Sequence, residues 1–222
     1  MHSFLAHYWY RFTYFVTHFL YLFGFGFRTT GRHNIPLNGP VLVLANHQSY
    51  LDPVAIGLAL PQRQLCFLAR KTLFKNAFFK NLITSLNAVP IDQESVGKEG
   101  LKIVLGLLKQ DKAVLVFPEG TRTEDGSIIG FKPGIRLLIS RMPITVLPVA
   151  IAGAYEAWPL RNKLPIPDPI FLPTNGRGLA VVVGKPMDSR ELAKMDRDEM
   201  LELLHRKICD LREQAENLRR ST

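Results

Sequence analysis

The chain has 222 residues, the length of about one large domain, and its 47% hydrophobic and 21% charged residues exclude disordered and fibrous classes. Two cysteines, Cys66 and Cys209, lie far apart in no metal or redox spacing, which excludes a disulfide scaffold and points to a reducing compartment. The 6 histidines fall in no HxxH or HExxH spacing, so no metal site is expected. The formal net charge of +9 is one-sided: residues 1–91 hold 8 Lys/Arg against the single acid Asp52, while residues 92–222 hold 20 against 18. A positive field on one part of a molecule attracts polyanions, whether nucleic acid, an anionic membrane surface or phosphorylated small molecules.

Residues 1–27 hold 12 of the 22 aromatic residues and no acid. Arg11 and His18 interrupt the apolar run before it reaches the roughly 18–20 residues of a spanning helix. On a helical wheel Ser3, His7, Tyr10, Arg11, Tyr14, His18 and Tyr21 share one stripe, and Phe4, Leu5, Tyr8, Trp9, Phe12, Phe15, Val16, Phe19 and Leu22 cover the wider opposite face. This pattern predicts an amphipathic helix lying in a membrane interface, its polar stripe toward water. A helix capping the domain's own core is the alternative. No small-residue cleavage site follows, and the apolar part is rich in Phe and Tyr, which disfavours a signal peptide. The expected division is therefore an interfacial element over 1–27 and a catalytic domain over 28–222.

After a turn at Pro36–Pro40, the run Val41-Leu42-Val43-Leu44-Ala45 reads as a strand buried on both faces. The same signature recurs at Ala113–Phe117, Ile144–Ile151 and Leu179–Val183. Helical patterns alternate with these runs at Pro53–Leu60, Thr72–Leu86, Ser95–Gln110 and Gly134–Arg141, and a charged amphipathic segment over 188–220 presents Leu201, Leu204, Ile208, Leu211, Ala215 and Leu218 on one face. Strand and helix in alternation predict an α/β fold with a mostly parallel central sheet flanked by helices.

Two constellations follow strand ends, where open α/β sheets bind ligands. In Asn46-His47-Gln48-Ser49-Tyr50-Leu51-Asp52 the spacing lets the Asp52 carboxylate meet one ring nitrogen of His47 and leave the other as a base. It equally suits Asp52 as a helix N-cap before Pro53 and His47 as a satisfied polar residue. Ser49 has no GxSxG elbow and reads as structural. In Phe117-Pro118-Glu119-Gly120-Thr121-Arg122 the arginine offers a planar fork for phosphate and the glycine a close backbone approach, with Lys132 and Arg136 able to add positive potential. An internal Glu119–Arg122 salt bridge is the plainer alternative. A third block, Arg70-Lys71-Thr72-Leu73-Phe74-Lys75 on to Lys80, lies in a basic stretch over 61–80 with five cations and no acid, and interleaves cations with Phe74, Phe78 and Phe79. It fits a single-stranded nucleic-acid surface or a membrane-facing helix, and the apolar N-terminus favours the second.

Together these blocks resemble the 1-acyl-sn-glycerol-3-phosphate (lysophosphatidate) acyltransferase family, from about Gly31 to Pro186. The resemblance is carried by the HxxxxD block His47–Asp52 and by Phe117–Arg122. Arg70-Lys71-Thr72-Leu73-Phe74, Val146-Leu147-Pro148-Val149-Ala150 and the Gly39-Pro40-Val41 lead-in support it. One position departs: Asp92 is followed by Gln93, where the family often has an arginine associated with the phosphate-bearing substrate. The resemblance implies the glycerolipid acyltransferase fold and the conversion of lysophosphatidate to phosphatidate. His47 would be the general base, oriented by Asp52, with Glu119, Gly120, Thr121, Arg122 and Lys71 binding substrate. It also implies acyl-CoA or acyl carrier protein as donor, no cofactor, no metal, no nucleic acid, and membrane lipids as partners. The location implied is monotopic, on the cytoplasmic face of a membrane. An acyl group arriving as a thioester needs no covalent serine.

Overall fold

The computed structural model describes residues 2–75, 80–81, 83–84, 86–91, 97–162, 164–169 and 178–220, with backbone alone for 2–7, 9 and 10. A long helix α1 (His2–Phe25) leads into strands β1 (Arg28–Thr30) and β2 (Val41–Ala45), helix α2 (Asp52–Ala59), β3 (Leu65–Arg70), β4 (Ala88–Ile91), α3 (Lys98–Leu108) and β5 (Ala113–Val116). Then come α4 (Gly134–Ser140), β6 (Thr145–Ala152), the short α5 (Ala154–Ala157), β7 (Ala180–Val183), β8 (Met187–Asp188), the short α6 (Ser189–Leu192) and the long α7 (Arg197–Arg220).

The strands form one sheet of order β1-β7-β6-β2-β5-β3-β4, with β8 beside β6. From β6 through β4 all neighbours are parallel. β7 and β8 run antiparallel to β6, so the sheet is mixed but mostly parallel. Alternate residues of β2 explain its unbroken apolar run: Val41, Val43 and Ala45 join the core under α1 and α2, while Leu42 and Leu44 join the core under α3, α4 and α7. Every residue of this central strand is buried.

Four strand signatures land on β2, β5, β6 and β7 within a residue or two. β1, β3, β4 and β8 carried no such signature. β3 lies inside the basic stretch, and β4 holds Pro90, which the sheet tolerates because β4 is an edge. Of the helix expected over Thr72–Leu86, Lys71–Phe74 is a 3-10 turn and residues 76–79 lie outside the described residues. Phe74 packs against the core rather than interleaving with the cations on the surface. Arg63, in the same basic stretch, is a structural tie: its guanidinium donates to the carbonyls of Pro36 (2.9 Å), Gly39 (2.8 Å) and Asp111 (3.0 Å).

α1 is the helix expected, but Tyr14, His18 and Tyr21 of its polar stripe face the domain, not water, while Arg11 is exposed. Tyr14 Oη donates to the Leu58 carbonyl at 2.9 Å and Tyr21 Oη to the Leu51 carbonyl at 3.2 Å, and Arg32 also reaches Leu58 O at 3.1 Å. Leu58 lies in the last turn of α2, where carbonyls lack helical partners, so Tyr14 and Arg32 satisfy an orphan acceptor, while Leu51 O also accepts the Ala55 N–H. His18 stacks on Tyr14 and meets Phe27 edge-on; burial, reinforced by Arg32, holds its imidazole below the ordinary histidine range. The opposite face is left bare: Phe12 is 59% exposed, Phe15 69%, Phe19 53% and Leu20 61%. Among the described residues no helix is long and apolar enough to cross a membrane.

The C-terminal segment packs on the domain as an amphipathic helix, with Met200, Leu204, Ile208 and Ala215 buried against the sheet. Leu204 is fully enclosed. Leu204→Ala is expected to lower unfolding stability by about 2–5 kcal/mol, seen as an earlier urea midpoint at constant slope.

Candidate active site

The parallel register brings the two motifs together. β2 pairs with β5 up to Leu44↔Val116, so positions three residues beyond each end, His47 and Glu119, come opposite one another. The chain continues the pairing with two bonds: His47 N–H donates to Glu119 Oε1 at 2.7 Å, and Thr123 N–H donates to the His47 carbonyl at 2.9 Å. On the other flank, Asn46 extends the β2–β6 pairing with its side chain. It donates to Ile151 O and accepts from Ile151 N–H, both at 2.9 Å. The histidine backbone is thus fixed from both neighbouring strands.

His47 Nδ1 lies 2.7 Å from Asp52 Oδ2, and Asp52 is fully buried while the His47 side chain is 20% exposed. The same carboxylate oxygen accepts the Gln48 N–H at 2.5 Å and the Ser49 N–H at 2.7 Å. α2 begins at Asp52, with Leu51 as its cap, so Asp52 is not the N-cap that the Asp-Pro pair suggested. It folds back on the amides before it and holds the catalytic turn closed. A carboxylate only accepts, so Nδ1 carries the proton toward it and Nε2 keeps its lone pair. The Phe117 ring lies 3.8 Å from the imidazole and nearly parallel to it, which closes one face of the base. Ser49 is buried, its hydroxyl accepting the Leu51 N–H at 2.9 Å, a structural bond within the turn.

The residues of the second motif have divided roles. Glu119 is fully buried; its carboxylate binds His47 N–H and, at 3.0 Å, Ile129 N–H. Burial pushes its carboxyl above the ordinary range, and the two amides pull the other way. Glu119 therefore ties the loops together through two backbone amides. It makes no salt bridge to Arg122. The Arg122 guanidinium carbon instead sits 3.7 Å over the centre of the Tyr50 ring. Gly120 adopts φ +75°, closing a turn in which its N–H donates to Phe117 O at 3.1 Å, and the Lys132 side chain runs close past it. Thr121 and Lys132 are exposed beside this turn.

Lys71 is exposed in the turn after β3. Arg136 is drawn away, donating to Met195 O at 2.7 Å. Asp92 and Gln93 lie outside the described residues. Tyr50, Phe117 and Asn46 were quoted in the motifs but given no role. Only their positions beside His47 and Arg122 reveal one.

An imidazole with one nitrogen locked on a buried carboxylate and the other clear, beside an unneutralised guanidinium, suits deprotonation of a hydroxyl on an anionic substrate. Residues 26–152 match the family model described as Acyltransferase, and the chain belongs to that family. Relatives with more specific names include the 1-acyl-sn-glycerol-3-phosphate acyltransferase of Bacillus subtilis, 23% identical over 197 residues that cover 87% of this chain and 92% of that protein. The human 1-acyl-sn-glycerol-3-phosphate acyltransferase alpha is 32% identical over 140 residues, 61% of this chain and 49% of that one. The chain thus spans nearly all of the bacterial relative and about half of the human one. Among solved structures, the 1-acyl-sn-glycerophosphate acyltransferase PlsC from Thermotoga maritima superposes with a TM-score of 0.76 at 25% identity, covering 95% of this chain and 83% of that one.

Glu119→Gln tests the tie. An amide has one acceptor oxygen, and its NH2 would face one of the two N–H donors. The variant is expected to lose about 1.5–3 kcal/mol of stability, read in a melting curve, together with a lowered kcat.

Proposed function

We propose that this acyltransferase moves a fatty acyl group from a thioester to the free hydroxyl of 1-acyl-sn-glycerol-3-phosphate, giving phosphatidate. The observation that carries the chemistry is the 2.7 Å His47–Asp52 contact with Nε2 left clear. The acceptor hydroxyl gives its proton to His47 Nε2 as its oxygen attacks the thioester carbonyl carbon. When the tetrahedral adduct collapses the carbon–sulfur bond breaks, and the thiolate leaves with the proton from Nε2. Asp52 stabilises the imidazolium in between. The donor is the thioester of coenzyme A or of an acyl carrier protein.

Arg122 takes the phosphate, with Glu119, Gly120 and Thr121 of the same loop and Lys71 of the turn after β3 contributing to substrate binding. A phosphate monoester suits the planar fork of arginine better than a single ammonium. A small apolar cleft of about 30 Å³ lies between α1, α2 and β3, beginning one residue beyond Asp52 and lined by Pro53, Val54, Gly57, Leu58 and Phe67. The bare face of α1 rests on a membrane at its cytoplasmic surface, so that substrate and product need not leave the lipid phase.

His47→Ala is expected to lower kcat at least ~100-fold, the usual contribution of a general base, with little change in melting temperature. Near-normal turnover in this variant would overturn the mechanism. Arg122→Lys is expected to reduce kcat/KM for lysophosphatidate by about 10- to 100-fold, the loss of charge-assisted hydrogen bonds, and much less for a lyso-lipid without a terminal phosphate monoester. Equal losses on both acceptors, with a lowered melting temperature, would make Arg122 structural.

The α1 face is tested by changing Phe12, Phe15 and Phe19 together to Ser rather than by deleting the helix, because deletion would remove Tyr14 and Tyr21 from the domain. Each aromatic contributes roughly 1.5–3 kcal/mol when fully withdrawn from water, so co-flotation with anionic vesicles should fall by more than ~100-fold. Activity on detergent-dispersed substrate should fall far less.

A further inference from the structure

Tyr50 stands inside the His47–Asp52 turn without joining the catalytic pair. Its neighbours Ser49 and Leu51 are buried, yet Tyr50 is 47% exposed. The Ser49 Oγ bond to Leu51 N–H bridges the bend at position 50. The Tyr50 ring meets side chains from two other strand ends. The Arg122 guanidinium carbon, from the loop after β5, lies 3.7 Å over its centroid. The Trp158 ring, from beyond β6 and α5, lies 5.3 Å away at 54°. Trp158 is itself anchored, its Nε1 donating to Asn162 O at 3.0 Å.

This is an unusual way to hold an arginine beside an active site. Glu119, three residues before it, is committed to two backbone amides, and Arg122 Nη1 is buried with no hydrogen-bond acceptor among the described residues. A carboxylate partner would fix the guanidinium but occupy the N–H edge and cancel its charge. An aromatic face attracts the cation through the ring quadrupole, perpendicular to the ring, and leaves the in-plane donors unused. An arginine side chain otherwise loses substantial rotamer entropy when it is ordered by a ligand.

We propose that Tyr50, braced by Trp158, is a positioning residue that holds the Arg122 guanidinium ready for the acceptor's phosphate and so sets acceptor affinity. It acts through Arg122 and touches no reacting atom. The proposal rests on Arg122 being the phosphate clamp of the proposed function.

The test uses the full chain, detergent-dispersed lysophosphatidate and saturating acyl-CoA. Tyr50→Leu is expected to raise the acceptor KM roughly tenfold while kcat and the acyl-CoA KM shift by less than about threefold, and Tyr50→Phe to recover most of the loss. Phenylalanine bearing one, two and then three ring fluorines at position 50 keeps nearly the same shape while draining the π face. Acceptor KM should climb stepwise along that series, a response that mere packing would not give. In an Arg122→Gln background the Tyr50→Leu change should add less than about twofold. A flat fluorine series, or a loss shared by kcat and the donor KM, overturns the proposal. If Arg122→Gln alone leaves acceptor KM unaltered, the clamp itself is wrong; if it raises KM while the fluorine series is flat, only the role of Tyr50 falls.

Discussion

Leu44 and Val116 face each other at the ends of two central, parallel strands, and the geometry of the His47 turn depends on that register. Parallel strands end on the same side of a sheet, so the turns that follow β2 and β5 must emerge together. A shift of one residue would put Glu119 out of reach of the His47 N–H and misplace the Thr123 bond to its carbonyl. Both strands are buried on both faces, which leaves little freedom to slip. Core packing thereby sets the position of a base whose side chain is not itself in the core.

Two fully buried carboxylates sit within this frame, and each is held mainly by backbone amides, although Asp52 Oδ1 has no hydrogen-bond partner among the described residues. Asp52 accepts from Gln48 and Ser49 as well as from His47; Glu119 accepts from His47 and Ile129. Burying a carboxylate is expensive unless it is hydrogen-bonded, and amides aimed by the fold supply those bonds without adding a cation. The arrangement keeps a neutralising arginine out of the pair.

α1 serves two environments at once. Its Tyr14 and Tyr21 hydroxyls and His18 face the domain, where Leu58 and Leu51 offer carbonyls, and Phe12, Phe15 and Phe19 face outward. Tyrosine suits the first role because it adds a donor to a large apolar surface. The same tyrosines that a wheel diagram groups with histidine and arginine as water-facing are here the docking contacts. A membrane beneath the outer face would leave the domain side unchanged, so catalysis and anchoring need not compete for the same residues.

The sequence by itself determined the α/β class, the buried central strands and the docked C-terminal helix. Each of these is written locally, as an unbroken apolar run or a 3.6-residue period. What it left open needed contacts between distant segments. Whether Asp52 capped a helix or held the turn, whether Glu119 met Arg122 or the His47 amide, and which way α1 faced all depend on strand order and register. None of those leaves a short-range signal. Strands β1, β3, β4 and β8 are short, and β4 carries a proline only an edge tolerates, so their identity follows from the partners that pair with them. Tyr50 is the sharpest case. Its side chain has ordinary chemistry until the fold lays a guanidinium 72 positions away in sequence over its ring, because cation–π attraction depends on distance in space alone.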